Sequence, residues 1–429
     1  MKYSEYTVTK EVSILNLGIK ITKPQQRLTL EGKRMTRHIK YAAGATFAVA
    51  LTALGVSQSQ FQEPVEAASS MVMAPAFEVD PYWPKPLPNQ WILGRTIGVD
   101  VDARDHVFIV HRDQDSMFGG ATEIGLKLGV SECCTPAPPI IEFDPEGNVV
   151  NAWGGPGEGF TWPASNHGID VAPNGNVWIG GNGAGDSHVL VFTGDGKFVA
   201  QYGEPGNAAD STSTTHFSMV AELTIDAEEN EVYLADGYGN KRVAVIDYNT
   251  GAFKRFWGAY GNVPTDDRVE YTPGAPLPQQ FRGPVHCAIP STDGLLYVCD
   301  RGTDRIQVFR KDGTFVNEVQ VAPQTLNQGS TWDIDFSKDA EQKYLYLADG
   351  QNFKVYIIER ETLEVLTSFG HGGRGPGQFY APHSISVDSE GSIYTTETYE
   401  GKRVQKFVYQ GIKELPRTNQ GAPWPADKL

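Results

Sequence analysis

Histidine is scarce in this chain, nine among 429 residues, yet His167, His286 and His383 open segments of one kind: HGIDV, HCAIP and HSISV. Neutral imidazole is the commonest metal ligand. Three imidazoles around one ion with a fourth position open form the arrangement of many catalytic zinc sites. A repeating architecture would bring such equivalent residues to one point.

A repeat is present. Its pattern is a strand ending in Val-Asp or an equivalent, a Gly/Asn turn, and a Tyr/Trp-Val-rich strand ending in Asp. A polar turn, a Val-x-x-Phe strand, Asp-Gly and a last strand closing on Trp-Gly or Phe-Gly complete it. It occurs six times between residues 92 and 410, with a long insertion at 114–140 in the first copy. Each copy holds enough alternating segments for a four-stranded antiparallel blade, with hairpins set by turns such as Asn174-Gly175, Asp293-Gly294 and Glu390-Gly391. The expected fold is therefore all-β, a six-bladed β-propeller. The sixth copy stops after three strands, and the extended segment 77–86 is expected to supply the missing outer strand and close the ring. This repertoire resembles the NHL-repeat propellers over residues 77–410, with 411–429 left as a tail.

In such a fold the first strand of each blade lines the central channel. Counting back from the Val-Asp equivalent, one position holds Arg95, His167, Ala221, His286, Trp332 and His383, so histidine falls on alternate blades. Equivalent positions on blades two, four and six converge on the axis. The alternative for the same residues is three channel histidines, each hydrogen-bonded to a neighbour. A second register, where the second strand turns toward the channel mouth, holds His111-Arg112, Asp236-Gly237-Tyr238, Asp300-Arg301, Asp349 and Glu397. Arg112 and Arg301 occupy equivalent places. Paired guanidiniums suit a carboxylate, since Arg bonds it in bidentate fashion and keeps its charge. For each Arg the alternative is a solvated pair with a neighbouring Asp. Asp236 and Asp300 read as turn-capping groups, because the same Asp recurs where no site residue follows.

The bulk numbers narrow the partners. A formal net charge of −16 sets nucleic acid aside, because counterion release needs a basic surface. A basic stretch at 33–40 followed by an uncharged, mostly apolar run from Tyr41 to Val56 has the layout of an export signal, so a periplasmic or extracellular protein is expected. Membrane tethering through that run is the alternative, and residues 1–70 are set apart from the folded domain. Cys133, Cys134, Cys287 and Cys299 have no CxxC spacing, which leaves disulfides, including a vicinal one at 133–134, as their expected use.

Taken together, these residues resemble the peptidyl-α-hydroxyglycine α-amidating lyases, themselves six-bladed NHL propellers. The resemblance implies zinc on His167, His286 and His383. It implies catalytic roles for Tyr238 in ADGYGNKR, Arg112 in FIVHRD and Arg301 in YVCDRGTDRIQ. It further implies a substrate with a terminal carboxylate, either a small molecule or a peptide, cleaved to an amide and glyoxylate. Where that family has Met-Pro-His-Asp, this chain has Ala381-Pro382-His383-Ser384, which removes an Asp associated with structural calcium (Ca2+) and weakens that implication. Gly239 and Tyr297 stand where the family has cysteines. The competing reading is a non-catalytic propeller, most simply a monomer, that binds a protein partner or a small ligand on its channel face.

Overall fold

The computed structural model describes residues 71–112, 125–422 and 424–425. The export-signal expectation at 33–56 lies outside them. Among the described residues no helix is long and apolar enough to cross a membrane.

Six four-stranded sheets follow one another along the chain. Five are built in simple order, each strand pairing antiparallel with the next. The sixth is closed by the N-terminus: Met71–Asp80 pairs with the last strand, Arg403–Pro416, outside the strands Ile393–Glu397 and Pro382–Val387. The closing strand thus lies at 71–80 rather than 77–86. Pro81, which follows it at once, has no N–H to continue the ladder. The domain limits move with it. The blades begin at 71 rather than 77, and the last strand runs to 416 rather than 410. Nor do the described residues after 410 form a free tail, since Gln420 N–H donates to the Ser368 carbonyl at 2.8 Å and Trp424 Nε1–H to that of Pro376 at 2.9 Å.

Alternation along the strands places apolar side chains on both faces of each sheet, and one buried apolar cluster fills each gap between neighbouring blades. Phe108, Ile169 and Leu190 lie between blades one and two, for example, and Trp83, Val99, Tyr394 and Val404 between six and one. The ring therefore closes by packing as well as by strand pairing.

The turns ending the second strands of blades three, four and six are held by a recurring device. Asp236 pairs with Arg242 at 2.8 Å, Asp300 with Arg305 at 3.0 Å, and Glu397 with Arg403 at 2.6 Å. The Asp300 carboxylate also accepts the Gly283 N–H at 3.0 Å, and that of Asp236 the Ser218 N–H at 2.8 Å. These acids hold the loops, as the recurrence in sequence predicts. Those loops share one face of the ring with the connectors between blades, and the inner strands start at that same face.

Candidate metal centre

His167, His286 and His383 are each the second residue of an inner strand, in Asn166–Val171, Val285–Pro290 and Pro382–Val387. In each of these blades the pairing register with the second strand shifts across the histidine, between Asn166 and Ile169, Val285 and Cys287, and Pro382 and Ser384. A bulge at that point turns the side chain off the sheet face and toward the axis. Blade one shifts likewise between Thr96 and Gly98, so its equivalent of the histidines is Ile97 and not Arg95. Gly168 lets the blades close in, because a Cβ there would lie 2.8 Å from the Glu222 Cα.

The three rings meet, with centroids 5.1, 4.7 and 4.9 Å apart. All three residues are buried, and one ligand nitrogen from each lies within 4.8 Å of the others. Each ring is held by a carbonyl on the next blade: His167 Nδ1 at 2.5 Å from Ala221 O, His286 Nδ1 at 2.5 Å from Trp332 O, and His383 Nδ1 at 2.8 Å from Ile97 O. A carbonyl only accepts, so each Nδ1 carries the proton and each Nε2 keeps its lone pair. Burial, reinforced by the charges of Arg301 and Arg112 and by the neighbouring rings, holds all three well below the usual imidazole range. Three neutral imidazoles offering Nε2 to one point form a donor set for a borderline metal ion.

Tyr238 completes this face. Its hydroxyl lies 3.1 Å from both His167 Nε2 and His286 Nε2, and it accepts a hydrogen bond from Arg301 Nη1 at 3.1 Å. Gly237 allows this placement, since any Cβ there would collide with the Val285 backbone. Arg301 is buried, with its guanidinium 4.5 Å from the Trp332 ring and Nη2 donating to Gln328 Oε1 at 2.8 Å. Among the described residues its Nε has no hydrogen-bond partner. Among the described residues no carboxylate pairs with Arg301, and Asp300 is engaged by Arg305 instead. The expected alternative of an Asp300–Arg301 ion pair is thus not what the chain forms. Arg112 donates through Nη2 to Asn182 Oδ1 at 2.7 Å and through Nε to Asn166 O at 3.2 Å, which brings it to the strand that carries His167.

A disulfide ties the two halves of this site together. Cys287 and Cys299 face each other in register and are bonded, so the strand carrying His286 is stapled to the strand that delivers Arg301. Cys133 and Cys134 form the vicinal disulfide. Glu222, Cys287 and Asp333 also come together, one residue beyond the histidine level on their strands, but Cys287 is disulfide-bonded and offers no thiolate. There Asp333 Oδ2 accepts from Ser384 Oγ and from the Ile385 N–H, and burial pushes Asp333 up to about 7 and Glu222 well above its usual range.

Sequence reasoning missed Trp332 as a contact of Arg301, and it missed Tyr399, whose ring lies 6.5 Å from that of Trp332 and 5.9 Å from the Arg95 guanidinium. The repeat register marks Trp332 as an axial residue but not as a partner of Arg301, and no repeat signal marks Tyr399. His111 is a structural group: it is fully buried, with Nδ1 accepting the Gly94 N–H and Nε2–H donating to Pro138 O at 2.9 Å. His371 is exposed, as expected.

A family model described as Lactonase, 7-bladed beta-propeller matches residues 201–369. NHL repeat-containing protein 3 from Mus musculus is 25% identical, covering 78% of this chain and 84% of the relative. Peptidyl-alpha-hydroxyglycine alpha-amidating lyase 1 from Drosophila melanogaster is 24% identical, covering 77% and 59%. The chain is a six-bladed β-propeller resembling NHL-repeat proteins and amidating lyases. Peptidyl-glycine alpha-amidating monooxygenase A from Xenopus laevis is 23% identical over 73% of this chain, which spans 32% of that larger protein.

Proposed function

We propose that this propeller is a zinc-dependent lyase that cleaves an N-acyl- or peptidyl-α-hydroxyglycine to an amide and glyoxylate. The observation that carries the reading is the Tyr238 hydroxyl, shared between two imidazoles of the triad and backed by a guanidinium without a carboxylate partner. A structural metal site needs no such group. His167, His286 and His383 would hold the ion through Nε2, leaving a fourth position, and zinc there supplies a Lewis acid that favours the developing alkoxide. Similarity to the amidating lyases supports the reading.

The residues of the chain then do the following. Arg112 and Arg301 receive the substrate carboxylate. Tyr238 acts as the base that takes the proton of the α-hydroxyl, with the Arg301 Nη1–H donating to its oxygen. The O–H electron pair becomes the carbonyl of glyoxylate, the carbon–nitrogen bond breaks with its electrons passing to nitrogen, and the phenol returns its proton to the departing amide. Atoms and charge balance without a further reactant.

The test is glyoxylate release from α-hydroxyhippurate by the zinc-loaded protein. Turnover that falls on chelation and returns with zinc is the expected result. Zinc binding without glyoxylate would leave the metal site and remove the reaction, favouring a non-catalytic propeller that binds a ligand or protein on its channel face.

A further inference from the structure

We propose that the site continues past Arg301 into a second anion subsite, so that the preferred substrate carries a negative charge on its acyl portion as well as the carboxylate at the cleaved end. The proposal rests on the lyase reading and narrows its substrate class.

Beside Arg301 lies a cavity of about 270 Å³ whose lining includes Lys241, Arg268, Arg282 and Gln328. Four cations surround it, and the one acidic side chain in its lining, Glu270, is paired with Arg268 at 2.7 Å. In a chain of formal charge −16 this local excess runs against the bulk composition. Two of the four cations, Arg282 and Lys241, are held by backbone oxygens and Arg301 by uncharged side chains, so the charge of these three is oriented without a carboxylate in the lining bonded to it; Arg268 is the one paired with an acid. Arg282 Nη1 donates to Gly302 O, and Lys241 Nζ donates to the carbonyls of Asp266 and Asp267. The Asp266 carboxylate is turned away to Ser211, whose Oγ donates to it at 2.5 Å.

The connector that builds this wall is unlike the others. Between blades three and four the chain runs through 258–284, longer than 204–221 between blades two and three and than 154–165, 321–332 and 370–381 at three other junctions. The added length brings Arg268 and Arg282 to the face of the ring where the histidines and Tyr238 lie. Arg301 lines this cavity and also bonds Tyr238, so a ligand reaching from the triad into the cavity passes one guanidinium. A second carboxylate separated from the first by a short acyl chain fits this layout. A neutral acyl group would strip water from these cations without replacing it.

The experiment is calorimetry on the zinc-loaded full chain with two inert ligands that share the glycine carboxylate, N-glutarylglycine with a second charge on its acyl chain and N-hexanoylglycine with a neutral one. The expected result is that the glutaryl ligand binds about tenfold more tightly or better, the low end for one charge-assisted hydrogen bond. That ratio should collapse toward one in Lys241→Gln/Arg268→Gln, and fall part-way in Arg268→Gln alone, where the exposed side chain carries little risk to folding. Equal affinities in the parent protein, or a ratio that survives the double substitution, would overturn the subsite. Running the α-hydroxy forms of both ligands in the glyoxylate assay separates the two ideas. Charge preference in binding without glyoxylate from either compound sinks the reaction and keeps the subsite. Equal turnover of both, with equal binding, keeps the reaction and sinks the subsite.

Discussion

Tyr238→Phe keeps the ring that packs 5.0 Å from His167 and removes the one oxygen that bridges the imidazoles to Arg301. If that oxygen moves the proton, glyoxylate release should fall by about 10²–10⁴-fold, the usual range for a lost general base, with zinc content unchanged. A drop in metal content instead would make Tyr238 a support for the ligands. A different residue reports on pH. Burial pushes the Asp304 carboxyl up to about 7, and its Oδ2 has no hydrogen-bond partner. The folded chain therefore keeps this proton to higher pH than the unfolded chain, whose carboxyl titrates near 3.9. Stability from this group is present in acid and is lost as pH rises through about 7. Asp304→Asn removes that loss and suits the backbone, since Asp304 has a φ of 56°. Melting curves should show the variant gaining on the parent between pH 5 and pH 8; a constant difference would mean that the carboxyl is ionised throughout. Among the site residues, the triad was legible because HGIDV, HCAIP and HSISV share a frame. Arg95 was placed at the wrong level because a bulge offsets its strand and has no residue-type signature. The Arg301–Trp332 contact spans two blades, so no local pattern could announce it.

The closing strand shows what an element contributes beyond its own hydrogen bonds. Met71–Asp80 caps the outer edge of blade six along Arg403–Pro416 and buries Ala74, Phe77 and Val79. Phe77 lies 5.5 Å from Tyr346 and 5.2 Å from Phe369, both in blade five, so one side chain locks the first strand of the domain to two blades. Phe77→Ala should cost about 3–5 kcal/mol, as buried Phe truncations do, and should raise aggregation on heating because a bare sheet edge recruits other strands. Denaturant unfolding with light scattering measures both. A loss under about 1 kcal/mol would mean that the strand is held by its ladder alone. That a segment before the first blade must complete the sixth was evident from the three-strand count of the last copy. Its register was not, because pairing depends on where Pro81 stops the ladder and on partners more than three hundred residues away.

On the scale of the molecule, the ring turns weak local similarity into one defined point. Six blades give equivalent positions, alternate blades carry imidazole, and each imidazole is oriented by a carbonyl of the blade that follows it. An ion held there would tie blades two, four and six across the channel and stabilise the folded ring by mass action, since the unfolded chain offers no such triad. The measurement that bears most directly on this account is zinc-edge X-ray absorption together with metal content, on the purified protein and on His167→Ala, His286→Ala and His383→Ala. The account predicts one zinc per chain with three imidazole nitrogens at about 2.0–2.1 Å, and loss of that zinc in each variant while the β-sheet circular dichroism persists. Zinc that stays in all three variants, or a parent protein that binds none when metal is supplied, would contradict it.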